Sequence, residues 1–103
     1  MRGTYHILMA MIQSFRCRKT EAFFQGGPCQ AQWRAFESVA FRKLAMMDDA
    51  TALHDLANLP GNRFEALKGS RKRQHSIRIN GQWRICFRWR EQGPEDVEIV
   101  DYH

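Results

Sequence analysis

The run Gln82–Arg90, QWRICFRWR, narrows the fold more than any other stretch of this chain because it alternates without a break. Trp83, Ile85, Phe87 and Trp89 face one way, and Arg84, Cys86, Arg88 and Arg90 face the other, as the period-two geometry of a strand requires. Upstream, His75–Ile79 alternates too, with Ile77 and Ile79 opposed to Ser76 and Arg78. The Asn80-Gly81 pair between the two runs is a strong hairpin signal. A two-residue loop would set Ile77 opposite Arg84 and scatter the apolar set over both faces. A three-residue loop, 80–82, pairs Ile79 with Trp83 and Ile77 with Ile85, so the longer loop is predicted. Phe64–Lys68 and Val97–Tyr102 read as further strands, the latter after a turn at Gly93-Pro94.

The first half of the chain has helical spacing instead. Ile12–Arg16 reads as a short strand and Glu21–Gln25 as a short helix stopped by Gly26-Gly27-Pro28. Between Gln30 and Met47, apolar residues fall at Trp33, Phe36, Ala40, Leu44 and Met47, which predicts one amphipathic helix. Thr51 is placed to cap a second helix bearing Leu53, Leu56 and Leu59, ended by Pro60-Gly61-Asn62. Helices followed by consecutive strands predict an α+β domain with N-terminal helices packed on a small antiparallel sheet. At 103 residues, 44% of them hydrophobic and 26% charged, the chain holds one core and is not of disordered composition. No apolar run approaches the roughly 20 residues needed to span a bilayer. Residues 1–10 read as an upstream-start or non-native extension, leaving 11–103 as a single domain.

Charge is distributed unevenly. Residues 63–90 carry nine basic side chains and one acidic, whereas residues 91–103 carry five acids and no Lys or Arg. Arg78, Arg84, Arg88 and Arg90 are expected to share the sheet face opposite the core, joined by Lys68, Arg71, Lys72 and Arg73 from the preceding loop. Arginine suits phosphate because its planar fork donates two parallel hydrogen bonds and stays ionised. A nucleic-acid partner, bound with strong salt dependence, is the expectation. A merely solvated face is the alternative. Trp83 and Trp89 suit core packing better than base stacking. The three cysteines (Cys17, Cys29, Cys86) are odd in number and widely spaced. They read as thiols in a reducing cytosol rather than a disulfide framework, and they make no zinc-ligand spacing with the histidines.

Leu67-Lys68-Gly69-Ser70-Arg71, Ser76-Ile77-Arg78-Ile79-Asn80, Gln82-Trp83-Arg84-Ile85-Cys86-Phe87 and the terminal Asp101-Tyr102-His103 together resemble the HigB-type toxins of the RelE superfamily. Met11–Phe15 is similar to the way those proteins begin, so the resemblance runs from Met11 to the C-terminus. It implies a RelE-like microbial-ribonuclease fold and a cytoplasmic toxin of a type II toxin–antitoxin system. Such a toxin cleaves mRNA on the ribosome, inhibiting translation and growth. Its cognate antitoxin, a small HigA-like helix-turn-helix protein, neutralises it in a hetero-oligomeric complex.

The chemistry so implied is metal- and cofactor-independent: the ribose 2′-OH attacks its own phosphate. The reaction then needs a base, cations on the phosphorane and an acid for the 5′-oxygen. Arg84 is the first choice for stabilising the phosphate, with Lys68, Arg71, Arg73, Arg78 and Arg88 binding RNA. His103 suits proton transfer, Asp101 would orient it, and Tyr102 would stack on a base or donate to the phosphate. A frayed terminus is the competing reading of these last three residues. Some relatives carry His where this chain has Glu65. That carboxylate is either a base tuned by neighbouring cations or simply an ion-pair partner. His75 reads as a surface or RNA-contacting residue, and His54 as structural. A non-catalytic RNA- or antitoxin-binding module of the same shape is the alternative function.

Overall fold

The computed structural model describes residues 11–101. Tyr102 and His103 lie outside the described residues, as do residues 1–10. Three helices precede the sheet: α1 (Arg18–Phe24), α2 (Glu37–Asp49) and α3 (Leu53–Ala57). Four strands follow, β1 (Glu65–Ala66), β2 (His75–Arg78), β3 (Trp83–Arg90) and β4 (Gly93–Asp101). They form one antiparallel sheet in the order β1-β2-β3-β4, so the architecture is α+β as expected.

The expected single helix from Gln30 is two elements. A 3₁₀ segment, Ala31–Phe36, precedes α2, and the junction at Phe36 leaves helical geometry with φ −125° and ψ 23°. Both elements bury the expected stripe: Trp33 and Phe36 from the 3₁₀ segment, and Ala40, Leu44 and Met47 from α2. α1 ends as its glycines require, with Gly26 at φ +91° and Gly27 N–H donating to the Ala22 carbonyl at 2.8 Å. A Cβ on Gly27 would sit 2.9 Å from that oxygen. The buried Thr20 hydroxyl accepts the Ile99 N–H, tying α1 to β4. At α3 the cap lies at Ala52, one residue past Thr51, and the Asp55 carboxylate accepts both their N–H groups.

The β2–β3 hairpin has the predicted register, with Ile77 opposite Ile85. Asn80 Oδ1 accepts the N–H groups of Gln82 and Trp83, each at 2.8 Å, and so closes the loop. The second reversal is not where it was expected. β3 and β4 turn at Glu91-Gln92, while Gly93 and Pro94 lie inside β4 opposite Arg90 and Trp89. Proline is tolerated there because β4 is the last strand of the sheet, and its carbonyl accepts the Gln13 N–H. A bulge then shifts the register between Cys86 and Arg88, with Asp96 at φ +53°. The expected N-terminal strand is an extended segment making one parallel bridge, Phe15 to Val97. The expected strand 64–68 is reduced to Glu65–Ala66.

The core lies between helices and sheet: Phe23, Trp33, Phe36, Leu44, Met47 and Leu56 meet Ile77, Ile85, Phe87, Val97 and Ile99. Trp83 and Trp89 are half-buried against it, and Trp83 packs on Phe36 at 5.5 Å, so core packing is their role in this fold. Leu59, placed on the second helix's stripe, is exposed instead, since α3 stops at Ala57. The three cysteines are free thiols.

Candidate active site

The face of the sheet away from the helices is organised by register. Glu65, Ser76, Cys86 and Glu98 stand opposite one another across all four strands. Two residues along, on the same side, Arg78 faces Arg84 and Arg84 faces Val100. The loop from Leu67 to Gln74 lies over this row. Its anchor is Arg71, whose Nη1 donates to Gln74 Oε1 at 2.9 Å and to Glu98 Oε2 at 3.0 Å, two strands beyond β2. Arg16 approaches the same Glu98 oxygen at 3.7 Å.

Arg84 is not the exposed strand arginine the alternation predicts. The residue is only 7% exposed, and a buried cation is tolerated only when its N–H groups are satisfied. Nε donates to Ser76 Oγ at 2.8 Å, and Nη2 donates to the carbonyls of Arg63 and, at 3.4 Å, Ser76. Glu65 Oε1 stands 3.9 Å from Nη2, and its side chain is 52% exposed where that of Arg84 is 9% exposed, so the carboxylate is open to solvent and the arginine only narrowly so. The Arg63 carbonyl reaches Arg84 from a 3₁₀ turn, Pro60–Asn62, after which Arg63 takes a left-handed φ of +42°. The buried Asn62 fixes that turn by donating to the Leu56 carbonyl at 3.0 Å.

Other cations divide into two groups. Arg88 and Arg90 pair with Asp96 (3.2 Å) and Glu95 (3.3 Å) of β4, so the acidic tail segment neutralises part of the basic one. Lys68, Lys72 and Arg73 are exposed on the loop, Arg78 is half-buried beside Arg84, and none of the four makes an ion pair among the described residues. The nine-cation stretch is thus not an open array. It comprises the buried Arg84, three paired arginines (Arg71, Arg88 and Arg90), and Arg63, Lys68, Lys72, Arg73 and Arg78, which make no ion pair among the described residues.

Two residues the sequence reading passed over shape this site. Lys43 of α2 is buried and donates to the carbonyls of Arg78 (2.7 Å) and Gly61 (3.2 Å). Burial, then the cations Arg42, Arg78 and Arg84, push its pKa below the usual lysine range. Its place between Ala40 and Leu44 on the apolar stripe was the available signal. Ser76 was visible only as the residue alternating with Arg78, and nothing in the sequence marked the Arg63 carbonyl.

The remaining candidates fall as follows. Asp101 pairs with Trp83 in the sheet, out of step with the Arg84 row, and its carboxylate accepts from Gln82 Nε2 at 2.9 Å. His75 is half-buried rather than fully on the surface. Its ring stacks on Phe64 (5.2 Å) and lies tilted against Phe87 (5.7 Å), and burial holds its pKa below the ordinary histidine value. His54 is exposed beside Asp55 rather than built into the packing. Burial, with Glu98, pushes the Cys86 thiol up against the opposing pull of Arg71 and Arg84. Among the described residues no group of three His, Cys, Asp or Glu side chains is placed to hold a metal ion, and no helix is long and apolar enough to cross a membrane.

The described residues thus form a small α+β domain in which Arg84 is buried in one face of a helix-backed antiparallel sheet, with cations that make no ion pair among the described residues on and beside that face. Residues 13–103 match the family model of the HigB-like toxins, RelE-like toxins of the HigB type II toxin–antitoxin system, and the chain belongs to that family. It is also similar to Toxin HigB-1 of Vibrio cholerae serotype O1, with 49% identity over 55 residues, covering 53% of this chain and 58% of that protein.

Proposed function

We propose that this protein is the toxin of a type II toxin–antitoxin pair and acts in the cytoplasm as a ribosome-dependent endoribonuclease. Arg84 carries the reading. Its guanidinium is pre-oriented by Ser76 and the Arg63 carbonyl, with the Glu65 carboxylate 3.9 Å away at the solvent border. A cation so held meets the developing charge of a phosphorane with little reorganisation. Glu65 is then positioned to take the 2′-OH proton, which makes a metal ion unnecessary for the step. Lys68, Arg73 and Arg78 bind the flanking phosphates. Arg71 and Arg88, engaged with Glu98 and Asp96, shape that surface. His103 protonates the 5′-oxygen, aided by Asp101, with Tyr102 against a base. The partner is a HigA-like helix-turn-helix antitoxin, and the substrate is mRNA in the ribosome.

The test is inducible expression in bacteria, with growth and mRNA 5′ ends as readouts. Wild-type protein is expected to arrest growth and generate new 5′ ends, and co-expressed antitoxin is expected to relieve both. Arg84→Gln and deletion of His103 should each reduce cleavage about a hundredfold, the typical cost of one lost transition-state donor. Cleavage unchanged in both variants refutes the assignment. A wild-type protein that binds its antitoxin but neither arrests growth nor cuts RNA is a non-catalytic module.

A further inference from the structure

Ser76 supplies two oxygens, Oγ and its carbonyl, that accept hydrogen bonds from Arg84. We infer that Ser76 is a positioning residue, which sets the plane of the Arg84 guanidinium so that the group meets the phosphate without first reorienting. The inference rests on the proposed role of Arg84 and adds the residue that makes that role efficient.

Ser76 is fully buried in the centre of the sheet, between Glu65 on β1 and Cys86 on β3. A hydroxyl there must find a partner, and Oγ finds it in Arg84 Nε–H at 2.8 Å. The Ser76 carbonyl accepts from Nη2 at 3.4 Å. Contacts at both Nε and Nη2 fix the rotation of the planar group, which a single contact would leave free. The left-handed Arg63 turn brings its carbonyl to Nη2 and completes the clamp. A long arginine side chain otherwise samples many rotamers, and fixing them before the reaction removes that ordering from the barrier.

The experiment measures cleavage of mRNA on bacterial ribosomes by the full chain, with rates normalised to the folded fraction from circular dichroism. Ser76→Ala is expected to lower kcat about tenfold with KM little changed, the pattern of an interaction that matters in the transition state. Ser76→Thr keeps the hydroxyl and is expected to restore most of the rate. In Arg84→Gln the further change Ser76→Ala should cost nothing more, because the group it orients is gone. A wild-type rate for Ser76→Ala beside a defective Arg84→Gln overturns the inference and leaves the role of Arg84 standing. So does a Ser76→Ala penalty that persists in full in the double variant, which marks a structural role. A wild-type rate for Arg84→Gln removes the underlying reading and this inference with it.

Discussion

Glu98 is the carboxylate that ties the cationic loop to the acidic strand, and its loss has a calculable consequence. The Arg71 Nη1 to Glu98 Oε2 distance is 3.0 Å, with side-chain exposures of 35% and 15%. At an effective dielectric of about 20 the gross attraction is roughly 5–6 kcal/mol. Desolvation of both groups and ordering of the arginine offset most of it. Net values run from about 0.2–1 kcal/mol for exposed pairs to about 1.5–3 for hydrogen bonds to charged groups. With the carboxylate mostly shielded and the guanidinium a third exposed, the coupling should be about 1.5 kcal/mol. The assay is a double-mutant cycle in urea with Arg71→Gln and Glu98→Gln, which cancels the Arg16 contact to the same oxygen. Each single variant should lose roughly 6–12 °C in Tm for a domain of this size. Because Glu98 is shielded, much of the coupling should survive 0.5 M salt. A coupling below about 0.3 kcal/mol would refute the anchoring of the loop by this pair.

Two further outcomes follow from single residues. His75 has its pKa lowered by burial, so between pH 7.5 and 5.5 the unfolded chain gains this proton more readily than the folded one. Stability is therefore complete above the unfolded value near 6.5 and falls as the pH drops below it. Urea midpoints at the two pH values should show the loss in wild type and a smaller one in His75→Phe, and equal losses in both would refute it. Asn80→Ala removes the acceptor of two loop N–H groups and should cost about 1 kcal/mol in urea unfolding, with the hairpin register kept.

The legible parts of this protein were those governed by local periodicity. Alternation and the Asn80-Gly81 loop specified the β2–β3 register because a one-residue slip would invert a whole strand. Helical spacing placed Leu44 and Met47 in the core, and the motif residues pointed to the family that residues 13–103 match. Boundaries were less legible. The Gly93-Pro94 pair looks like a turn in isolation, yet it is accommodated in an outer strand that makes three backbone bonds with residues 13–16.

Charge shows the division most clearly. The sequence by itself determined that residues 63–90 are strongly basic, that the following segment is acidic, and that Arg84 lies on the side of its strand opposite Ile85. Only the tertiary structure decided which cations are spent on internal pairing. Folding β4 against β3 brings Glu95 and Asp96 to Arg90 and Arg88, and the loop over the sheet brings Arg71 to Glu98. Burial of Arg84 depends on a carbonyl 21 residues away, delivered by a left-handed turn. Backbone carbonyls are present at every position and carry no sequence signature, so their use as arginine partners becomes visible only once the chain is folded.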